Sequence, residues 1–185
     1  MTLALVVLAL GTVQRLGELG LAQANTRRLM RMGARETGAG HYLFIVLLHA
    51  AWLVGLWALA WDQPINMPLL AVFVLLQAAR VWVIASLGRR WTTRIITLPG
   101  EPLVRKGPYR FLSHPNYVVV AAEIAVLPLA FGLELYALAF TLLNAAMMWV
   151  RIRSEQRALQ AATASAPSQA VTRTGPSAAE TRAGP

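Results

Sequence analysis

The feature that most constrains this chain is a series of long apolar runs whose connections alternate between basic and free of Lys and Arg. The runs cover about residues 3–21, 42–61, 67–87, 117–131 and 135–150. A bilayer core takes about 20 helical residues, within a range of about 17–25. The second and third runs fit that length. The last two are short, which predicts local thinning or a helical hairpin that does not fully cross. Backbone polar groups must be satisfied inside lipid, and the period-two alternation of a membrane barrel is absent, so the runs are expected to be helices. The expected fold class is therefore an all-α integral membrane protein of about five transmembrane helices.

Composition agrees with that reading. Hydrophobic residues make up 57% of the chain and charged ones 14%, against about 45–50% and about 25% in soluble domains. With no cysteine, disulfides, thiolate metal sites and cysteine nucleophiles are excluded. A formal charge of +9 would suit a nucleic-acid binder, but almost all the Lys and Arg residues lie in the segments between and after the apolar runs, which is how membrane topology distributes them. No nucleic-acid partner is expected; membrane lipids are.

Arg27, Arg28, Arg31 and Arg35 follow the first run; Arg89, Arg90, Arg94, Arg105, Lys106 and Arg110 follow the third; Arg151, Arg153 and Arg157 follow the fifth. The connections at 62–66 and 132–134 carry no Lys or Arg. All three basic segments then share one side, placing the N-terminus outside and the C-terminus in the cytoplasm. The N-terminal run lacks a preceding basic region and a small-residue cleavage site, so it is expected to be a retained span. Arg15 and Glu18, three apart, are expected to pair near the membrane interface. Trp61, Trp82, Trp91 and Trp149 lie near expected span ends and read as interfacial anchors. Residues 1–160 form the expected membrane domain. From about 161 to 185 the composition turns to Ala, Ser, Thr, Pro, Gly and Gln, and disorder is expected.

Polar residues within this apolar frame are candidates for chemistry. The connection from Gly88 to Asn116 greatly exceeds the usual length of about 4–6 residues, and it ends in GPYRFLSHPNY. Pro115 suits the first turn of the following helix, with Ser113 or His114 near its cap. Such a helix start favours a carboxylate or phosphate, although an ordinary loop-to-helix junction with an interfacial Tyr and His explains it equally. Asn144, Met148, Arg151 and Glu155 share one helical face. Arg151 and Glu155 can pair, or the basic helix end can anchor to anionic headgroups. Arg80 and Glu123 fall inside spans, where ionisable residues are costly; they either serve a site or pair to hold the bundle together. His41 and His49 share a helical face without a third ligand nearby in sequence, so no metal site is expected and His49 reads as a packed or hydrogen-bonding residue.

The stretch GPYRFLSHPNY, followed by a helical hairpin and RIRSEQRAL, resembles the isoprenylcysteine carboxyl methyltransferase family. SLGRRWTTRI and ELGLAQANTRRLMRMGARETGAGHY look like its bacterial members, some of them associated with polyketide synthases, which methylate hydroxyls of alkylpyrone- or alkylresorcinol-type lipids. The resemblance covers roughly Glu18 to Leu159. It implies an S-adenosylmethionine-dependent O-methyltransferase of a bacterial inner membrane, acting on the hydroxyl or carboxylate of a lipidic acceptor. Gly107, Tyr109, His114, Pro115 and Tyr117 would line the cofactor pocket together with Glu155. Arg151 and Glu155 would be the catalytic pair. Arg80, Glu123 and Asn144 would face a lipid tunnel. The family's second Glu is Gln156 here, and its Arg before His-Pro is Ser113. Those departures leave a non-catalytic scaffold of the same fold as an alternative. A nicotinamide-dependent reductase of the sterol type, which ends in a similar Tyr-x-x-x-x-His-Pro-x-Tyr element, is another.

Overall fold

The computed structural model describes residues 3–37, 39–98 and 104–164. The order of elements is α1 (Leu3–Arg31), β1 (Arg35–Thr37), α2 (Ala39–Ala60), α3 (Met67–Leu87), β2 (Ile95–Thr97), α4 (Pro115–Ala130) and α5 (Glu134–Ala164). Four helices are long and apolar enough to cross a membrane, and α4, at 16 residues, is shorter. At 1.5 Å per residue α4 spans only about 24 Å. The protein is an all-α integral membrane protein, as the apolar runs predict.

Several boundaries differ from those read in the sequence. The first helix runs on to Arg31 because nothing between Leu21 and Arg31 breaks it: neither Gly nor Pro occurs there. Likewise α5 does not stop at 150 and extends to Ala164. Its last turns are rich in Ala, the best helix former, so the helix enters the segment expected to be disordered. Residues 165–185 lie outside the described residues. The two short strands were not anticipated. They pair antiparallel, Glu36 opposite Ile96, and bring the connection after α1 against the connection after α3.

Local chemistry sets the helix ends. Asn66 caps α3, its Oδ1 accepting from the Leu69 N–H at 3.1 Å, with Pro68 in the first turn. The Asn66 N–H donates to the Ala130 carbonyl at 2.8 Å, which ties the start of α3 to the end of α4. Tyr136 donates to the Trp52 carbonyl at 2.7 Å. That bond requires Gly55, since a Cβ there would collide with the Tyr136 hydroxyl.

The bundle has three levels. Farthest from the basic connections, Ala4, Leu8, Trp52, Leu56, Phe73, Ile124, Leu127 and Phe131 form a buried apolar core. In the middle lies a network of charges. Nearest the basic connections the helices part around a cavity. Large apolar side chains such as Leu10, Val13, Leu75 and Leu142 are more than 60% exposed, which in this chain is the lipid-facing surface.

The middle level corrects one expectation and decides between two others. Arg15 and Glu18 do pair, at 3.2 Å, but near the midpoint of the long α1 and not at an interface. Arg80 grips Glu18 through Nε and a terminal nitrogen, both at 2.6 Å, a two-pronged geometry suited to carboxylates. Its other terminal nitrogen reaches Glu123 at 3.2 Å. Glu123 is fully buried and also accepts from Arg15 and from Gln77. Arg80 and Glu123 therefore pair and join α1, α3 and α4, with two acids balancing two bases.

Candidate active site

The cavity at the basic end has a volume of about 790 Å³, within the roughly 300–1,000 Å³ common for small-molecule sites. The long connection between α3 and α4 supplies most of its wall, from Arg90 through Ser113. Leu29 of α1, Leu87 of α3, His114 at the cap of α4, Asn116 and Tyr117 within it and Arg151 of α5 complete it. The connection is held in place from α1: the buried Asn25 amide donates to the Gly88 and Trp91 carbonyls at 3.2 and 2.8 Å. Arg94 adds a bond to Glu36 at 2.9 Å and lies 4.5 Å over the Tyr42 ring. The pairing of β2, within this connection, with β1 anchors it further.

The segment Gly107–Arg110 forms a turn of 3-10 helix, followed by His114 at the cap and Pro115 as the first residue of α4. No side chain caps α4 at His114. His114 stacks on Tyr117, with ring centroids 5.0 Å apart and planes within 10°. Arg151 Nε donates to the Tyr117 hydroxyl at 2.8 Å. So α5 is joined to the His-Pro-x-Tyr junction by a charge-assisted hydrogen bond at the cavity wall.

Of the candidate residues, Tyr109, His114, Tyr117 and Arg151 line the cavity. Gly107 and Pro115 do not. Pro115 is buried in the first turn of α4. Gly107 has φ +57°, and a Cβ there would collide with Ser86 Oγ and crowd Trp82 Nε1, so it faces α3. Glu155 lies one helical turn beyond Arg151 on α5, but its side chain is outside the described ones. Arg80 and Glu123 are consumed in the ion network and are not in the cavity lining. Asn144 is buried, its amide donating to Met148 Sδ at 3.2 Å, and it also lies away from the lining.

Two residues that sequence reasoning passed over belong to the site. Trp91 is no interfacial anchor: it is 2% exposed and lines the cavity. Its indole N–H and the Asn116 side-chain oxygen are buried without a hydrogen-bond partner. Buried polar atoms are rarely left unpaired; here both belong to residues of the cavity wall, one a donor and one an acceptor. Arg90, Arg94, Arg105, Arg110 and Arg151 make the wall strongly basic, and it contains no Asp or Glu among the described residues. The signal for Trp91 was its place in SLGRRWTTRI beside the basic run, but only packing distinguishes a buried Trp from a lipid-facing one.

Replacing Gly107 by Ala tests the role of the turn. A side chain at positive φ costs about 1 kcal/mol, and the collision with Ser86 adds to it. We expect Gly107→Ala to lower the unfolding midpoint in detergent. Gly107→Ala combined with Ser86→Gly should recover part of the loss, and no recovery would show that contact with Ser86 is not the cause.

Fold and cavity together define a polytopic helical membrane protein with a cavity of small-molecule size, lined by arginines, at its basic end. The isoprenylcysteine carboxyl methyltransferase family model matches residues 69–161, which include the Gly-Pro-Tyr turn, the His-Pro-x-Tyr junction and Arg151. The chain belongs to that family. It is also 38% identical over 159 residues to an uncharacterized Bacillus subtilis protein, YpbQ, covering 83% of this chain and 95% of the relative. No solved structure matches it.

Proposed function

We propose that this protein transfers a methyl group from S-adenosylmethionine to an oxygen of a lipidic acceptor at the membrane. The observation that carries the proposal is the convergence of His114, Tyr117 and Arg151 on one wall of the cavity, with Arg151 bonded to Tyr117 at 2.8 Å. Family membership supports the reaction class. The residues present fit the cofactor. An adenine edge carries both an N–H donor and ring-nitrogen acceptors, matching the unpartnered Asn116 oxygen and Trp91 N–H. The carboxylate of the methionine end suits the start of α4 and the basic wall. Its ammonium needs an acid, and Glu155 is assigned that part.

When bound, the cofactor supplies an activated methyl group on sulfur. The chain's own work is then positioning. Aligning the acceptor oxygen with the methyl group can lower the barrier by up to about 7–11 kcal/mol in well-oriented cases. Arg151, held by Tyr117, faces the developing anion or the acceptor carboxylate. The acceptor's lipid tail stays in the bilayer, between the exposed apolar helix faces. The basic end, carrying Arg27, Arg28 and Arg31, is assigned to the cytoplasmic side of a bacterial inner membrane by the distribution of positive charge.

The test is calorimetric titration of the detergent-purified protein with S-adenosylmethionine and with its demethylated product. Saturable binding that Glu155→Ala and His114→Ala abolish is the expected result. Folded protein that binds neither compound would sink the proposal.

A further inference from the structure

The cavity wall carries more positive charge than its proposed occupant calls for. Arg90, Arg94, Arg105, Arg110 and Arg151 line it, with no Asp or Glu among the described residues. Glu36, from outside the lining, offsets Arg94, and Arg151 Nε donates to the neutral Tyr117 hydroxyl. S-adenosylmethionine holds a sulfonium, an ammonium and a carboxylate, so it enters with one net positive charge. Such a wall repels the cofactor as a whole, even where one arginine receives its carboxylate.

Arg105 and Arg110 both line the cavity and are exposed, which places them at its mouth. Beside them Phe111 and Leu112 also line it, 78% and 49% exposed, and the Arg110 guanidinium lies 5.9 Å over the Phe111 ring. The mouth thus has a lip that is basic and apolar at once. Its depth follows from α4. The far end of that helix is tied to the start of α3 by the Asn66–Ala130 bond. Its 16 residues span about 24 Å against a hydrocarbon core of about 30 Å. The start of α4, and the lip just before it, is therefore drawn down to the level of the headgroups and upper acyl chains.

We propose that the lip holds an anionic membrane phospholipid, its phosphate on Arg105 and Arg110 and an acyl chain against Phe111 and Leu112, and that this lipid tunes the cavity for a cationic cofactor. The second half rests on the methyltransferase reading above. Guanidiniums match phosphate oxygens in a planar fork, and anionic headgroups are drawn to basic segments at the membrane surface. A zwitterionic lipid brings no net charge to offset the wall. An anionic one lowers the positive potential at the mouth, and each ligand gains according to its own net charge. S-adenosylmethionine, a cation, gains. Its demethylated product keeps only the ammonium and the carboxylate, is neutral as a whole and gains little. Anionic lipid thus favours substrate over product in the same cavity.

The experiment places the purified full chain in nanodiscs of phosphatidylcholine alone or of a phosphatidylcholine–phosphatidylglycerol mixture, and titrates each with S-adenosylmethionine and with its demethylated product. The diffuse field of an anionic bilayer, about −30 mV, concentrates any monovalent cation about threefold. A headgroup charge held within about 10 Å of the cofactor, at an effective dielectric of about 20 and with salt screening, adds about 10-fold. Expected is therefore cofactor binding about 30-fold tighter in the anionic discs, with product binding little changed. Arg105→Gln with Arg110→Gln should leave only the diffuse effect of about threefold. Arg27→Gln with Arg31→Gln, at the same end but outside the cavity lining, should keep the full difference. Equal behaviour of the two double variants would mean diffuse surface charge and overturn the lip as a site. An equal gain for both compounds in wild type, or a gain for neither, overturns the proposal without recourse to any variant. Inorganic phosphate that gives the same gain in neutral discs would assign the arginines to a free anion and overturn the lipid. Binding of neither compound in either disc removes the methyltransferase reading and this proposal together.

Discussion

Replacing Glu123 by Leu should destabilise the protein by about 3–5 kcal/mol, the range seen when one partner of a buried ion pair is removed. Glu123 is fully buried and accepts from Arg15, Gln77 and Arg80. Without it, two guanidiniums share the single carboxylate of Glu18, and one positive charge stays uncompensated in the bundle interior. The lost hydrogen bonds, all to a carboxylate and each about 1.5–3 kcal/mol, are part of the same loss. Arg15→Leu with Glu123→Leu should therefore recover much of the stability. It leaves Arg80 and Glu18 as a self-contained pair with both contacts at 2.6 Å. A double-mutant cycle by unfolding in detergent measures the coupling. Additive losses at Arg15 and Glu123 would mean that the two do not act as a unit.

Arg151→Ala should lower methyl transfer by about 100-fold with little change in protein stability. A hydrogen bond to a charged group contributes about 1.5–3 kcal/mol, and each 1.4 kcal/mol is tenfold in rate, so loss of the guanidinium alone predicts about 10- to 100-fold. Loss of orientation at Tyr117 adds to this, because the Arg151 Nε contact at 2.8 Å also holds that ring. Arg151→Lys should recover little: an ammonium on a flexible stem cannot bond Tyr117 and present a planar fork to an anion together. Tyr117→Phe removes only the link and should cost about tenfold. The check is transfer of labelled methyl to a long-chain alkylphenol and to a long-chain fatty acid, with cofactor affinity measured alongside. Full activity in Arg151→Ala would remove Arg151 from the site.

Both predictions come from side-chain contacts, and the sequence prepared them unequally. Arg80 and Glu123 are 43 residues apart. Their apolar surroundings made each costly, but that cost was equally compatible with a tunnel and with a pair. Only the packing of α3 against α4 decided for the pair, and it brought in Arg15 and Glu18, which the sequence had assigned to an interface. The Tyr117–Arg151 link was closer to legible. Both residues lie in the stretches that carry the family resemblance, yet neither spacing nor periodicity says that they touch.

Trp91 and Trp82 illustrate the limit from another side. Both lie near the basic end of α3, and both have the composition of an interfacial anchor. Trp82 is 54% exposed and Trp91 2%. The difference arises because the chain turns at Gly88, φ +52°, and the Asn25 amide pulls the Trp91 backbone under α1. Apolarity measures the tendency to leave water. It does not distinguish lipid from protein interior as the destination.

What the sequence determined by itself was the membrane setting, the helical class and the gathering of the basic segments at one end. Each depends on a property summed along contiguous residues: apolar length against bilayer thickness, and the placement of Lys and Arg in connections. The tertiary structure alone decided the lengths of α1 and α5, the small sheet, the neutral four-charge clasp and the buried Trp91. Those rest on pairings between helices distant in sequence, where desolvation makes a partner essential but does not name it.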